Sequence, residues 1–402
     1  MNAPTEPPPD EPPYGWVVVW ACFTALAVIF GVSYSFAAFF EPFAAEFGAA
    51  RADVSLVFGT SGLVYFALGA FGGMLADRFG PRRVTSAGML TIVVALVAGS
   101  RSTSMGMVTM AYGLVLGVGI ALVYTPSIGC VQPWFTRRRG LAAGLASAGI
   151  GAGTLLVPLA AAWAIAQGPW RSAMLALAVL VLALGLPATL LLKPAPSARR
   201  VAGGVVSGVS LREAVSGARF RWLYAMCLLG TPSMFVPFAH LSASARDMGV
   251  ADAQAVGLVG LIGIGSLTGR FVVGTLADRL GRGPATVAVM ASLGLSMLLW
   301  WLAPGYAALA VFALWMGLSY GGSVSLMPAL CMDFFGPRAV SSIIGTLYTG
   351  AAFGNLVGPW AAGRVFDATG SYAPVILGCV ALSALATGAA WFAVRGEGSA
   401  AH

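Results

Sequence analysis

The chain has 402 residues, 58% hydrophobic and only 9% charged, where an ordinary soluble domain carries roughly 25% charged residues. So few charges cannot cover a water-soluble fold of this length, which leaves the bilayer as solvent. The net charge of +8 sits in loops between apolar stretches, so it reads as membrane topology and not as a nucleic-acid surface.

Residues 1–13 are proline-rich and acidic, and they lack the basic and apolar regions of a secretory signal; they read as a disordered cytoplasmic tail. Apolar stretches of about 20 residues, enough for one helix to cross a bilayer, then recur along the chain. Spans are expected over 15–40, 53–76, 83–100, 105–130, 139–165 and 171–192, and again over 219–245, 253–277, 284–303, 307–332, 339–363 and 373–394. The expected organisation is a six-helix bundle over 14–192, a cytoplasmic linker over 193–218, a second six-helix bundle over 219–395 and a short tail over 396–402. The linker is rich in Pro, Ser, Gly and Arg, and Ser210 to Glu213 has capping-box spacing for a short surface helix. Glycine (53) and proline (23) are tolerated here because small residues let membrane helices approach and neighbours satisfy freed carbonyls. Cys22, Cys130, Cys227, Cys331 and Cys379 lie inside apolar spans without metal or CxxC spacing, and read as packing residues.

Basic loops resist translocation. Sixteen basic residues fall on the side of the even-numbered connections and the carboxyl end: Arg78, Arg82, Arg83, Arg137, Arg138, Arg139, Lys193, Arg199, Arg200, Arg212, Arg219, Arg221, Arg279, Arg282, Arg338 and Arg395. The other side has Arg51, Arg101, Arg171, Arg246 and Arg364, and Arg270 alone lies within a span. Both termini are therefore expected in the cytoplasm of a multi-pass cell-membrane protein. The sequence also repeats: Gly73-Met-Leu-Ala-Asp77-Arg78-Phe-Gly80 returns as Gly274-Thr-Leu-Ala-Asp278-Arg279-Leu-Gly281, an offset of 274 − 73 = 201 residues.

These residues resemble the loop signature of the major facilitator superfamily, and the resemblance covers about 14 to 395. It implies an all-α membrane protein with twelve transmembrane helices in two pseudo-symmetric six-helix bundles around a central cavity, working by alternating access. Asp77, Arg78, Asp278 and Arg279 would then act as a gate at helix ends. The run Phe135-Thr-Arg137-Arg138-Arg139-Gly140-Leu-Ala-Ala-Gly144-Leu-Ala-Ser-Ala-Gly149 is similar to a pattern of the monocarboxylate transporter family. Tyr14-Gly15-Trp16 fits the aromatic-Gly-Trp end of a second signature, while Pro12 and Pro13 depart from it. Drug and proton antiporters of the superfamily usually carry arginine in the fourth span and Gly-Pro in the fifth; this chain has Tyr112-Gly-Leu-Val-Leu-Gly117 and Val157-Pro158 instead.

Arg270 lies eight residues before Asp278, about 12 Å along a helix. A cation inside the membrane is costly and marks a functional site by default, and guanidinium suits a carboxylate. In the resembled family an aspartate commonly stands one turn earlier, where this chain has Ser266, and a first-span lysine is replaced by Ala38. Tyr34, Tyr124, Tyr320 and Tyr348, with Asn355, are the polar candidates for completing a small anion site, since a phenol combines an apolar body with a donor. His240, the only histidine in an expected span, is a candidate for proton coupling, with Asp247 two turns later as its partner or that of Arg270. The expected function is secondary active transport of a small monocarboxylate of lactate or pyruvate size with protons, by a monomer in the lipid bilayer. Export of drugs or other metabolites is the alternative, followed by solute sensing without transport. No Ser-His-Asp set, metal cluster or phosphate loop is present, so neither an enzyme nor a cofactor is expected.

Overall fold

In hydrocarbon each backbone polar group must find its partner within the protein, which helices achieve segment by segment. The computed structural model follows that rule, and describes residues 12–135, 139–195, 208–336 and 339–395, all helical or in short connections and without strands. Twelve long helices cross the fold in chain order. They are α1 Tyr14–Phe47, α2 Arg51–Phe79, α3 Pro81–Ser100, α4 Met105–Val131, α5 Arg139–Gln167 and α6 Trp170–Leu190, then α7 Ala218–Asp247, α8 Asp252–Leu280, α9 Arg282–Trp301, α10 Tyr306–Phe335, α11 Val340–Thr369 and α12 Ala373–Arg395. Eleven of them are long and apolar enough to span a membrane. The remaining one, α11, has the length but carries Ser, Thr and Asn among its apolar residues.

α1 runs seven residues past the expected end at 40, through Pro42 and an aromatic-rich turn, to Gly48 in the left-handed region (φ 58). The duplicated loop produces the same backbone twice. Gly80 (φ 87, ψ 145) ends α2 and Gly281 (φ 90, ψ 141) ends α8, a conformation essentially restricted to glycine. One π-helical turn interrupts α4 over Thr109–Val115 and another interrupts α6 over Val181–Gly185. In the linker, a short helix over Leu211–Ser216 starts at Ser210 with the expected reciprocal capping by Glu213.

The first and last six helices meet along α2 with α11 and along α5 with α8. Within each set, glycines bring backbones almost into contact. A Cβ on Gly153 of α5 would stand 1.9 Å from the Ala27 carbonyl oxygen of α1, and one on Gly321 of α10 would stand 2.0 Å from that of Ser266 on α8.

The two ends of the molecule differ. At the end where α2 begins, the Arg51 guanidinium donates to both carboxylate oxygens of Asp247 at 2.7 Å and to the Tyr372 hydroxyl at 2.7 Å. The backbone N–H groups of Arg51 and Ala52 donate to Asp367 at 3.1 and 3.0 Å, and Arg51 lies 3.9 Å above the Phe366 ring centre. These contacts tie α2 to α7 and α11. At the other end Arg282 donates to Asp333 at 2.6 Å, and Arg78 and Arg279 are exposed. Asp77 and Asp278 occupy the last turns of α2 and α8, but their side chains fall outside the described residues, so the expected gate there is placed by backbone alone.

Candidate functional site

Tyr65 of α2, Tyr124 of α4, Tyr320 of α10 and Tyr348 of α11 line a cavity of about 70 Å³ where the two sets of helices meet. Three were expected to meet a solute. Tyr65 was not, because a single phenol in Leu63-Val-Tyr-Phe66 carries no pattern that separates it from packing. Tyr34 stands one turn beyond Phe30, a cavity residue, toward the Arg51 end. Its hydroxyl hydrogen-bonds that of Tyr320 at 3.0 Å, and its ring stacks on Phe238 with centroids 4.1 Å apart. Tyr34 and Phe238 thus pack on each other and on the cavity residue Tyr320.

Arg270, on α8, is 6% exposed. That burial separates it from an arginine extended to the membrane surface. It is in no ion pair among the described residues, and its Nε and Nη2 have no hydrogen-bond partner. The hydroxyl of Ser266, one turn earlier, is likewise buried and unpartnered. Arg270 is not itself in the cavity wall; its charge lies within electrostatic reach of Tyr34, Tyr124 and Tyr320. Buried donors without partners cost stability, and a buried cation costs more. An anion accepting from Arg270 would offset both costs.

Asn355 is fully buried but lies at the α2–α11 contact, not in the cavity wall. Its Nδ2 reaches toward the Gly59 carbonyl at 3.5 Å, its Oδ1 is unpartnered, and only glycine at 62 leaves room for it.

The expected pairing of His240 with Asp247 is not formed, because Asp247 is engaged by Arg51. His240 is fully buried and bonds elsewhere: Nε2 with the Pro359 carbonyl at 2.8 Å and Ser55 Oγ at 2.9 Å, Nδ1 with the Tyr372 hydroxyl at 3.0 Å. The carbonyl can only accept, which puts a proton on Nε2. Nδ1 is then free to accept from Tyr372, which accepts in turn from Arg51. His240 is therefore part of the closed Arg51 end and remote from Arg270. Asp247 does not pair with Arg270 either. Sequence spacing could not have found this cluster, whose partners are 119 to 321 residues apart.

Comparison with known proteins agrees with the helical architecture. A model of the Major Facilitator Superfamily matches residues 21–359. Monocarboxylate transporter 13 of Rattus norvegicus is 30% identical over 374 residues, covering 92% of this chain and 86% of the relative. Monocarboxylate transporter 3 of the same organism is 31% identical over 381 residues, covering 91% and 76%. Monocarboxylate transporter 4 is 28% identical over 381 residues, covering 90% and 79%.

Proposed function

The chain belongs to the Major Facilitator Superfamily and is a multi-pass membrane transporter, not an enzyme, related to the monocarboxylate transporters; from that premise we propose that it carries a small monocarboxylate across the cell membrane by alternating access. One observation carries the reading: Arg270 is a buried cation with two free donors, one turn from Ser266, whose backbone abuts Gly321 next to the cavity tyrosine Tyr320. A carboxylate leaving water must recover its solvation, and a guanidinium returns it as charge-assisted hydrogen bonds. Tyr124 and Tyr320 add donors from the two bundles, and Tyr34 holds Tyr320 in place. The size of the cavity suits lactate, pyruvate and acids of similar length.

The basic residues put the linker on the cytoplasmic side, which makes the Arg51 end the outer one. The described arrangement is then closed outside, with α2 held to α7 and α11. Opening outward requires Arg51 to leave Asp247 and Asp367, while the loops after α2 and α8 act as the opposite gate. Proton coupling, where it operates, runs through the outer cluster of His240 and Asp247, since neither pairs with Arg270.

The test is binding and uptake in proteoliposomes. Arg270→Ala should lower affinity for lactate and pyruvate by tenfold or more, given roughly 1.5–3 kcal/mol for a hydrogen bond to a charged group. Arg270→Lys should also bind weakly although the charge is kept, because the planar fork is lost. An unchanged preference for acid over the corresponding amide in Arg270→Ala sinks the assignment. Better binding of the amide by the unaltered protein would favour export of neutral metabolites.

A further inference from the structure

One wall of the cavity is rich in sulfur. Met226, Cys227 and Met234 of α7, Met290 of α9 and Met327 of α10 line it, so that four of its seventeen described lining residues are methionine, against 15 among the 402 of the chain. Gap filling in an apolar core would account for single thioethers in scattered places. Here Met226, Cys227, Met290 and Met327 belong with Cys331 to one apolar cluster, separate from the main core. The Cys331 thiol donates to the Met327 sulfur at 3.8 Å, and Cys227 lies within electrostatic reach of Cys331. The Cys227 thiol is free and makes no hydrogen bond among the described residues.

Sulfur selects the ion. Thioethers and thiolates are soft ligands that hold Cu(I), whereas carboxylate, carbonyl and water suit hard ions. Among the described residues no three of His, Cys, Asp and Glu stand together, which leaves zinc and the hard divalent ions without a site. The lining also has the hydroxyls of Thr231, Ser323 and Tyr348, but these are poor ligands for a soft ion, and Thr231 already donates to the Cys227 carbonyl. With metal–sulfur bonds of about 2.3 Å, the length of a zinc thiolate, two sulfurs on a trigonal ion stand about 4 Å apart. The Met327–Cys331 separation matches that span.

Position and charge agree. Cys227 stands nine residues into α7, and Met327 eight residues before the end of α10, about 12–14 Å from the linker end. The assignment of the linker to the cytoplasm therefore puts the sulfur wall on the side of the compartment where thiols stay reduced. A bare monovalent ion is costly within the membrane. A ligating thiol, however, gives its proton to water: Cys–S–H and Cu(I) become Cys–S–Cu(I) and H+, and the complex left behind is neutral.

We infer that Cys227, Met327 and Cys331, with Met226 or Met290 as a further thioether, form a binding site for one Cu(I) ion. The site shares the cavity with the proposed carboxylate, but its test needs no transported solute.

Purified protein in detergent, reduced and free of oxygen, is titrated with Cu(I) against a colorimetric Cu(I) chelator. One Cu(I) per chain should leave the chelator for the protein, and X-ray absorption of that sample should show a first shell of sulfur alone. Cys227→Ala and Met327→Leu should each weaken binding about 100-fold or more, since loss of an outer-shell partner alone costs about 10–100-fold. Cys22→Ala and Met332→Leu change sulfurs of another cluster and of the exposed surface, and should leave binding unchanged. Failure to take up one Cu(I), nitrogen or oxygen in the first shell, or an affinity that survives Cys227→Ala combined with Met327→Leu overturns the site. Stoichiometry and first shell are read on the unaltered protein, so they decide the question even where a variant does not fold.

Discussion

Arg51 and Asp247 face each other across the two bundles through a pair of parallel hydrogen bonds, both 2.7 Å long. Asp247 closes the last turn of α7, and Arg51 opens α2. The pair is partly exposed, 18% and 38% for the two side chains, and an ordinary surface pair contributes only about 0–1 kcal/mol. This one has more support, because Asp367 caps the first N–H groups of α2 and Tyr372 accepts from the same guanidinium.

Asp247→Asn should therefore shift the protein toward an outward-open form. A cysteine replacing Phe58, buried beneath this cluster beside Tyr34, should then react with an impermeant maleimide about fivefold faster, the scale of about 1 kcal/mol. The native cysteines are buried, so protein without the Phe58→Cys change gives the background. Equal labelling with and without Asp247→Asn would mean that Arg51 decorates the surface without holding it shut.

His240 sits inside the same cluster and satisfies both ring nitrogens there. Proton-driven accumulation needs a group that changes charge, whereas counterflow exchange needs only loaded reorientation. His240→Ala is expected to reduce accumulation at least several-fold more than counterflow, measured in the same vesicles. Equal loss of both would leave His240 a packing residue of the outer end.

Much of the fold was legible because hydropathy and backbone satisfaction leave helices as the answer over long apolar runs. The end of α1 was not: the expected span stops at 40, yet the helix runs on to Phe47, and Glu46 within it accepts from Arg171 and Trp170. Arg270 could be found because a charge among apolar residues stands out in one dimension. Arg51 could not, since it differs from other loop arginines only through Asp247, Asp367 and Tyr372, 196 to 321 residues away. The pairing of Tyr34 with Tyr320 was hidden for the same reason, although each residue was a candidate alone.

Topology can be read from two exposed serines, Ser216 in the linker helix and Ser371 before α12. Cysteines at these positions should label from opposite sides in right-side-out vesicles, Ser371→Cys from outside and Ser216→Cys only after permeabilisation. The basis is the sixteen basic residues on the linker side against five on the other. Labelling of both from one side would break the helix count.

Gly321 ties packing to recognition, because it follows Tyr320 directly and abuts the Ser266 carbonyl one turn from Arg270. Gly153 makes an equally close contact with Ala27, but between α1 and α5. Adding a methyl at either place forces two backbones apart, an overpacking that typically costs about 1–3 kcal/mol. Gly321→Ala and Gly153→Ala should thus lower stability to denaturant by similar amounts. Only the first also moves Tyr320 relative to Arg270, so it alone should weaken binding of butyrate or lactate, by about tenfold if one charge-assisted hydrogen bond is lost. Stability and affinity measured on both proteins separate the effects. If the two variants lose affinity equally, the spacing of α8 and α10 has no special part in recognition, and the anion is held by groups other than Arg270 and Tyr320 acting together.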